Sequence, residues 1–181
     1  DVELTNRGLS FKIVERTSQK GYSVCLANVY ARHNVYSALY AFAAGVMSGI
    51  SYENIIAGLE AYKATGIRQN VYKAREVTIY ADCYNAVAKS VQSAISAASE
   101  IPIKGRRIGV LGDIAETGAY AKEIHESIIK SVNESNFDIL IAYGTNICDA
   151  AQNVSQRQTL KTFCCSTRLQ LNKTVKQIVS K

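Results

Sequence analysis

The sequence predicts an α/β fold in two parts: a β-hairpin and a helical hairpin, then a strand-and-helix alternation that builds a parallel-type sheet. Period-two apolar alternation around Lys20-Gly21 predicts the hairpin. Alanine-rich and then amphipathic helical spacing predicts the helical pair. Beyond Gly66, short apolar runs alternate with helical stretches, the pattern of βαβ units with right-handed crossovers.

The elements follow in order. Phe11-Lys12-Ile13-Val14 and Tyr22-Ser23-Val24-Cys25-Leu26 read as the paired strands. Residues 33–47 suit a buried helix that ends near Gly49. Ser51 caps a second helix running to about Tyr62, with Ile55, Ile56, Leu59 and Tyr62 on one face. Val77-Thr78-Ile79-Tyr80 reads as a strand, residues 87–99 as a helix and residues 107–111 as a second strand. A helix over 120–132, a strand over 138–142 and an amphipathic helix over 169–179 complete the alternation. A boundary near residues 64–68 divides the two parts, which gives domains of 1–65 and 66–181.

At 181 residues and 48% hydrophobic, the chain can bury a core and is not expected to be disordered. The longest apolar stretch, residues 38–50, is too short for a membrane span. The start Asp1-Val2-Glu3-Leu4 lacks a secretory pattern, so a cytoplasmic location is expected. The 5 cysteines are odd in number and without metal-ligand spacing, so they read as free thiols, and neither they nor His33 and His125 form a zinc pattern. A formal charge of +6 is spread along the chain. The 11 tyrosines read as core-like rather than interleaved with lysines, so a nucleic-acid partner ranks last.

Ligands of open α/β sheets sit beyond strand C-terminal ends. That rule singles out Asp82-Cys83-Tyr84-Asn85, Gly112-Asp113 and Tyr143-Gly144-Thr145-Asn146. No G-x-x-x-x-G-K-[ST] loop, strand-linked G-x-G-x-x-G, G-x-S-x-G or H-E-x-x-H occurs, so spacing alone leaves the function open. Particular strings narrow it: Ala31-Arg32-His33-Asn34-Val35-Tyr36-Ser37-Ala38-Leu39, Thr65-Gly66-Ile67-Arg68-Gln69-Asn70, Ala81-Asp82-Cys83-Tyr84-Asn85-Ala86 and Val110-Leu111-Gly112-Asp113. In that order the chain resembles the Mur ligases, and within them the branch that adds D-alanyl-D-alanine to a UDP-muramoyl-tripeptide in peptidoglycan synthesis.

The resemblance implies that residues 1–65 are the end of a central ATP-binding domain and residues 66–181 a Rossmann-like C-terminal domain. The domain for the UDP-sugar precursor and most of the ATPase domain, with its phosphate loop, are the missing partners. By the same resemblance Asn34 meets the adenine of ATP, since an amide both donates and accepts. Arg68 reaches the ATP phosphates during catalysis, and Asp82 accepts from the ribose hydroxyls. Tyr84 and Asn85 line the cleft near the incoming dipeptide or the nucleotide, although an asparagine turn explains Asn85 almost equally well. His33 reads as a packed or capping residue, Asp113 as a cap of the next helix, and His125 as a surface or packing residue rather than a general base.

The implied reaction activates a carboxylate as an acyl phosphate with ATP and magnesium, and the dipeptide amine then displaces phosphate. The magnesium ligands belong mainly to the missing part, and this chain alone is not expected to turn over. Val87-Ala88-Lys89 stands where the family has Asn-Pro and an acidic residue. Ala31 and Ser37 replace a usual glycine and asparagine, and the short tail Phe163-Cys164-Cys165-Ser166-Thr167-Arg168 predicts a missing or distorted terminal strand. The alternative reading is a non-catalytic nucleotide-binding or interaction module derived from such a ligase.

Overall fold

Leu9, Phe11, Ile13, Val24 and Leu26 lie on one face of strands whose other residues face outward, the period-two arrangement of a half-covered sheet. The computed structural model describes residues 1–5 and 7–180. Strands β1 (Val2–Thr5), β2 (Gly8–Val14) and β3 (Gly21–Ala27) form an antiparallel sheet in that order, so the expected hairpin gains an extra edge strand. Helices α1 (Asn34–Met47) and α2 (Tyr52–Glu60) follow. Ser51 caps α2 by accepting the Asn54 N–H at 3.4 Å. Ala38, Phe42 and Ile55 from these helices join the sheet residues in one apolar core.

Helix α1 is not the buried helix its sequence suggests. Ala38, Phe42 and Gly45 are buried, whereas Tyr36, Tyr40 and Met47 are 65%, 76% and 88% exposed. Apolar residues run all round the helix, and its sequence therefore does not mark which stripe packs. The same exposure corrects the core-like reading of the tyrosines, since Tyr62, Tyr72, Tyr84 and Tyr120 are exposed as well.

The strand expected to open the parallel sheet, β5 (Val77–Ala81), instead pairs antiparallel with β4 (Asn70–Ala74) as a hairpin. The sequence hid β4 because it is a largely exposed edge strand without apolar alternation. These strands belong to the first of two compact units, residues 1–84 with Glu100–Pro102.

The second unit comprises Asn85–Ser99 and the residues from Ile103 onward. It contains α3 (Ala88–Glu100, whose last residue groups with the first unit), β6 (Ile108–Gly112), a 3-10 turn (Gly118–Tyr120) and α4 (Ala121–Glu134). β7 (Ile139–Tyr143), α5 (Thr145–Asn153), β8 (Lys161–Cys165) and α6 (Arg168–Val179) complete it. The strands are parallel in the order β6-β7-β8. Central β7 is buried on both faces. Leu140 and Ala142 pack with Ile95, Ile128, Ile129 and Ile147 from α3, α4 and α5, while Ile139 and Ile141 pack with Cys165 and Ile178 of α6. The terminal strand is neither missing nor distorted. β8 pairs with β7 along its whole length, and a Thr167–Gln170 capping box starts α6 directly after it.

Candidate functional site

The polar residues singled out from the sequence gather around the loop that precedes β4. Asn34, at the start of α1, donates from its backbone N–H and from Nδ2 to the Ala31 carbonyl at 3.0 and 3.1 Å. Its Nδ2 also donates to Gln69 Oε1 at 3.0 Å. Gln69, held at a φ of 47°, in turn donates its backbone N–H to Asp82 Oδ1 at 3.3 Å. Asp82 follows β5 directly, but β5 belongs to an antiparallel hairpin, so the strand-end rule of parallel sheets does not carry this position. Asn34 and Asp82, 48 positions apart in sequence (82 − 34), are thereby joined through one intervening residue.

The same loop is braced on both sides. Cys83 N–H donates to the Ile67 carbonyl at 2.9 Å, and Asn70 Nδ2 donates to the Gly66 carbonyl at 2.9 Å. The Arg68 guanidinium lies over the Tyr84 ring with its central carbon 3.9 Å from the centroid, a cation–π contact that holds the cation in an otherwise exposed position. Tyr84 thus spends a ring face on Arg68. Asn85 is exposed and is the first residue of the second unit, so the structure does not bring it into this cluster. His33 stands at the N-cap position of α1 without capping through its side chain.

Burial pushes the Asp82 carboxyl above the usual carboxylate range, and the Gln69 N–H and the charges of His33 and Arg68 offset part of that rise. Burial, and then the Asp82 charge, push the neighbouring Tyr80 phenol well up. The Tyr80 hydroxyl is buried and has no hydrogen-bond partner among the described residues. Together the cluster offers a fixed amide, a half-used carboxylate and a cation.

The other strand ends behave differently. Asp113 does not cap the helix that follows it. Its carboxylate accepts the Asn146 and Ile147 N–H groups at 3.3 and 2.8 Å and so caps α5, which begins after the neighbouring strand. His125 is fully buried, not on the surface. Its Nε2 accepts the Ile114 N–H at 2.9 Å, which leaves Nδ1 to donate to the Ala121 carbonyl at 2.6 Å. Both ring nitrogens are occupied by backbone, which suits a brace for the 113–114 turn. In the altered segment at 87–89, the Ser90 hydroxyl accepts the Val87 N–H at 3.1 Å and donates to the Val87 carbonyl at 2.9 Å, ordering the entry to α3.

Sequence reasoning missed Gln69, although it lies inside the string that drew attention to Arg68. Its signal is positional only, because nothing in the linear sequence shows that it spans Asn34 and Asp82. Among the described residues no group of 3 or more His, Cys, Asp or Glu side chains could hold a metal ion, and no helix is long and apolar enough to cross a membrane. All 5 cysteines are free thiols.

Residues 67–181 match the model of the Mur ligase, glutamate ligase domain. A UDP-N-acetylmuramoyl-tripeptide–D-alanyl-D-alanine ligase of Bacillus subtilis is 32% identical over 117 residues, 64% of this chain and 26% of that protein. The ligase of the same name from Escherichia coli is 28% identical over 183 aligned positions, 99% of this chain and 39% of its own length. The chain thus spans well under half of these relatives. A crystal structure of MurF from Acinetobacter baumannii superposes with a TM-score of 0.81 at 25% identity, covering 99% of this chain and 38% of that one. MurF from Thermotoga maritima in complex with ADP shares the fold, with a TM-score of 0.76 at 17% identity over 98% of this chain and 39% of that one.

Proposed function

Because the chain belongs to the Mur ligase family, we propose that it is part of an ATP-dependent ligase that forms an amide bond between D-alanyl-D-alanine and a UDP-muramoyl-tripeptide. Relatives bearing that activity in their names align with up to 99% of the chain, which supports this branch of the family. The observation that carries the nucleotide side is the connected cluster Asn34–Gln69–Asp82 with Arg68 beside it. Residues 1–65 supply the end of the central ATP-binding domain and residues 66–181 the C-terminal domain.

The donor set fits a nucleotide. The Asn34 amide accepts from an amino group on the base, the Asp82 carboxylate accepts from ribose hydroxyls, and the Arg68 guanidinium pairs with phosphate oxygens. ATP supplies the phosphoryl group that activates the acceptor carboxylate. Arg68 neutralises negative charge as it develops, and its stacking on Tyr84 limits the conformational freedom lost when it engages. Tyr84, one ring face of which Arg68 covers, and Asn85 serve the incoming dipeptide or the nucleotide. Magnesium accompanies ATP, its ligands and the phosphate-loop lysine being assigned mainly to the part of the enzyme outside these residues. The reaction is cytoplasmic, and the 181 residues alone do not turn over.

The polypeptide that carries this sequence in its source cell provides the test. Its ATP-dependent ligation should fall by about a hundredfold or more in Arg68→Ala with the fold unchanged, and its ATP affinity should fall in Asn34→Ala. Ligation indifferent to Arg68→Ala would refute the assignment. ATP binding without any ligation would select the non-catalytic module, a reading favoured by the Val87-Ala88-Lys89 departure.

A further inference from the structure

We propose that Gln69 sets base selectivity by fixing the Asn34 amide so that its oxygen alone faces a nucleobase. The inference rests on the nucleotide-site reading above and adds a residue that neither the sequence motifs nor the relatives assign.

The hydrogen-bond pattern leaves little freedom. A backbone carbonyl can only accept, so the 3.1 Å contact between Asn34 and the Ala31 carbonyl must involve Nδ2 and not Oδ1. That settles the orientation of the amide, which is otherwise ambiguous for asparagine. The second Nδ2 hydrogen goes to Gln69 Oε1 at 3.0 Å. With both hydrogens committed, Asn34 presents Oδ1, a pure acceptor.

An acceptor discriminates by chemistry. A purine with an amino group at the 6-position donates to Oδ1, whereas a 6-keto purine sets oxygen against oxygen and leaves both unpaired. Gln69 also ties this choice to the sugar side, because its backbone N–H holds Asp82 Oδ1 at 3.3 Å. Its φ of 47° is uncommon for a residue other than glycine, and the bonds on either side of it hold the side chain towards Asn34. Gln69 is a positioning residue, acting through Asn34.

The experiment compares ATP and inosine triphosphate binding by calorimetry on the full native polypeptide, as wild type, Gln69→Leu, Gln69→Glu and Asn34→Ala. Wild type should prefer ATP by roughly tenfold, the scale set by one unpaired polar group. Gln69→Leu removes the second tether of Nδ2, so the amide pivots about its remaining bond to the Ala31 carbonyl, Oδ1 is no longer held on the base, and the preference should shrink towards parity. Gln69→Glu keeps an acceptor facing Nδ2 and should keep the preference, a rescue that a merely structural glutamine would not show. The inference falls, with the site reading intact, if Asn34→Ala abolishes the preference while Gln69→Leu retains it. If wild type binds neither nucleotide, or Asn34→Ala binds ATP as well as wild type, the site reading fails and takes the inference with it.

Discussion

Two aspartates stand directly after strand C-terminal ends, Asp82 after β5 and Asp113 after β6, and the structure uses them in opposite ways. Asp113 spends both carboxylate oxygens on the start of α5 and sits against Gly144. Among the described residues Asp82 receives a single backbone N–H through Oδ1, at Gln69. The first aspartate is a structural cap, as fully satisfied as its neighbour His125. The second keeps unused acceptor capacity in a half-buried position, where an unmet carboxylate costs stability unless a ligand supplies donors. Position at a strand end nominates both residues. Only the accounting of hydrogen bonds separates them.

The largest expected effect breaks the structural member of the pair. A Cβ at Gly144 would lie 2.4 Å from Asp113 Cγ, and the backbone there has a φ of 123°. Gly144→Ala should cost about 3 kcal/mol or more, from backbone strain and overlap together, measured by chemical denaturation. At Gly66, with a φ of 62° and no atom within 4 Å of a built Cβ, the same substitution should cost only about 1 kcal/mol. Equal losses at the two glycines would mean that the Asp113 contact contributes nothing to the difference.

Exchanging the aspartates sharpens the contrast at a smaller scale. Asp113→Ala should destabilise by about 1–2 kcal/mol through loss of the α5 cap and leave nucleotide affinity unchanged. Asp82→Asn should do the reverse. The pH dependence follows from the raised Asp82 pKa. Between the ordinary carboxylate value and the raised one, the folded protein holds a proton that the unfolded chain has lost, so this group's contribution to stability declines as pH rises through that window. Nucleotide affinity moves the other way, since the ionised carboxylate is the better acceptor, and it weakens as pH falls through the same window. Asp82→Asn should flatten the affinity profile. A wild-type profile already flat there would remove Asp82 from the ribose role.

Much of this was legible in the sequence, and what was not has physical causes. The strands around β7 and the helices α1 to α4 follow from apolar periodicity. Helix α5 is absent from the sequence reading because its start signal is not local. Its N-cap is Gly144, and the capping carboxylate arrives from Asp113. Edge strand β1 is only four residues long, too short for its Val2-Glu3-Leu4-Thr5 alternation to stand out, and the mostly exposed β4 has no alternation. A missing or distorted terminal strand is expected from a tail at 163–168 shorter than the family's, yet the pairing of β8 with buried β7 defines the strand. In the candidate site the motif strings located Asn34, Arg68, Asp82 and Tyr84. The role of Gln69 depends on a hydrogen bond across 35 positions that no local pattern encodes.

The smallest predicted effect concerns Tyr80, next to the half-used aspartate. Its hydroxyl is buried without a partner among the described residues, whereas the Tyr52 hydroxyl in the same unit donates to Glu15 Oε1 at 2.9 Å. Removing an unsatisfied buried hydroxyl eliminates a desolvation cost with little change of shape, while removing a bonded one forfeits the bond. Tyr80→Phe should therefore be neutral or stabilising by up to about 1 kcal/mol, and Tyr52→Phe destabilising, in paired thermal melts. Loss of the Tyr80 hydroxyl should also relieve the proximity of a second polar group to Asp82 without altering the Gln69 bond, so nucleotide affinity should stay within about twofold of wild type. A destabilised Tyr80→Phe would show that the hydroxyl has a partner in solution, and the contrast between a satisfied and an open polar group would then rest on Asp82 alone.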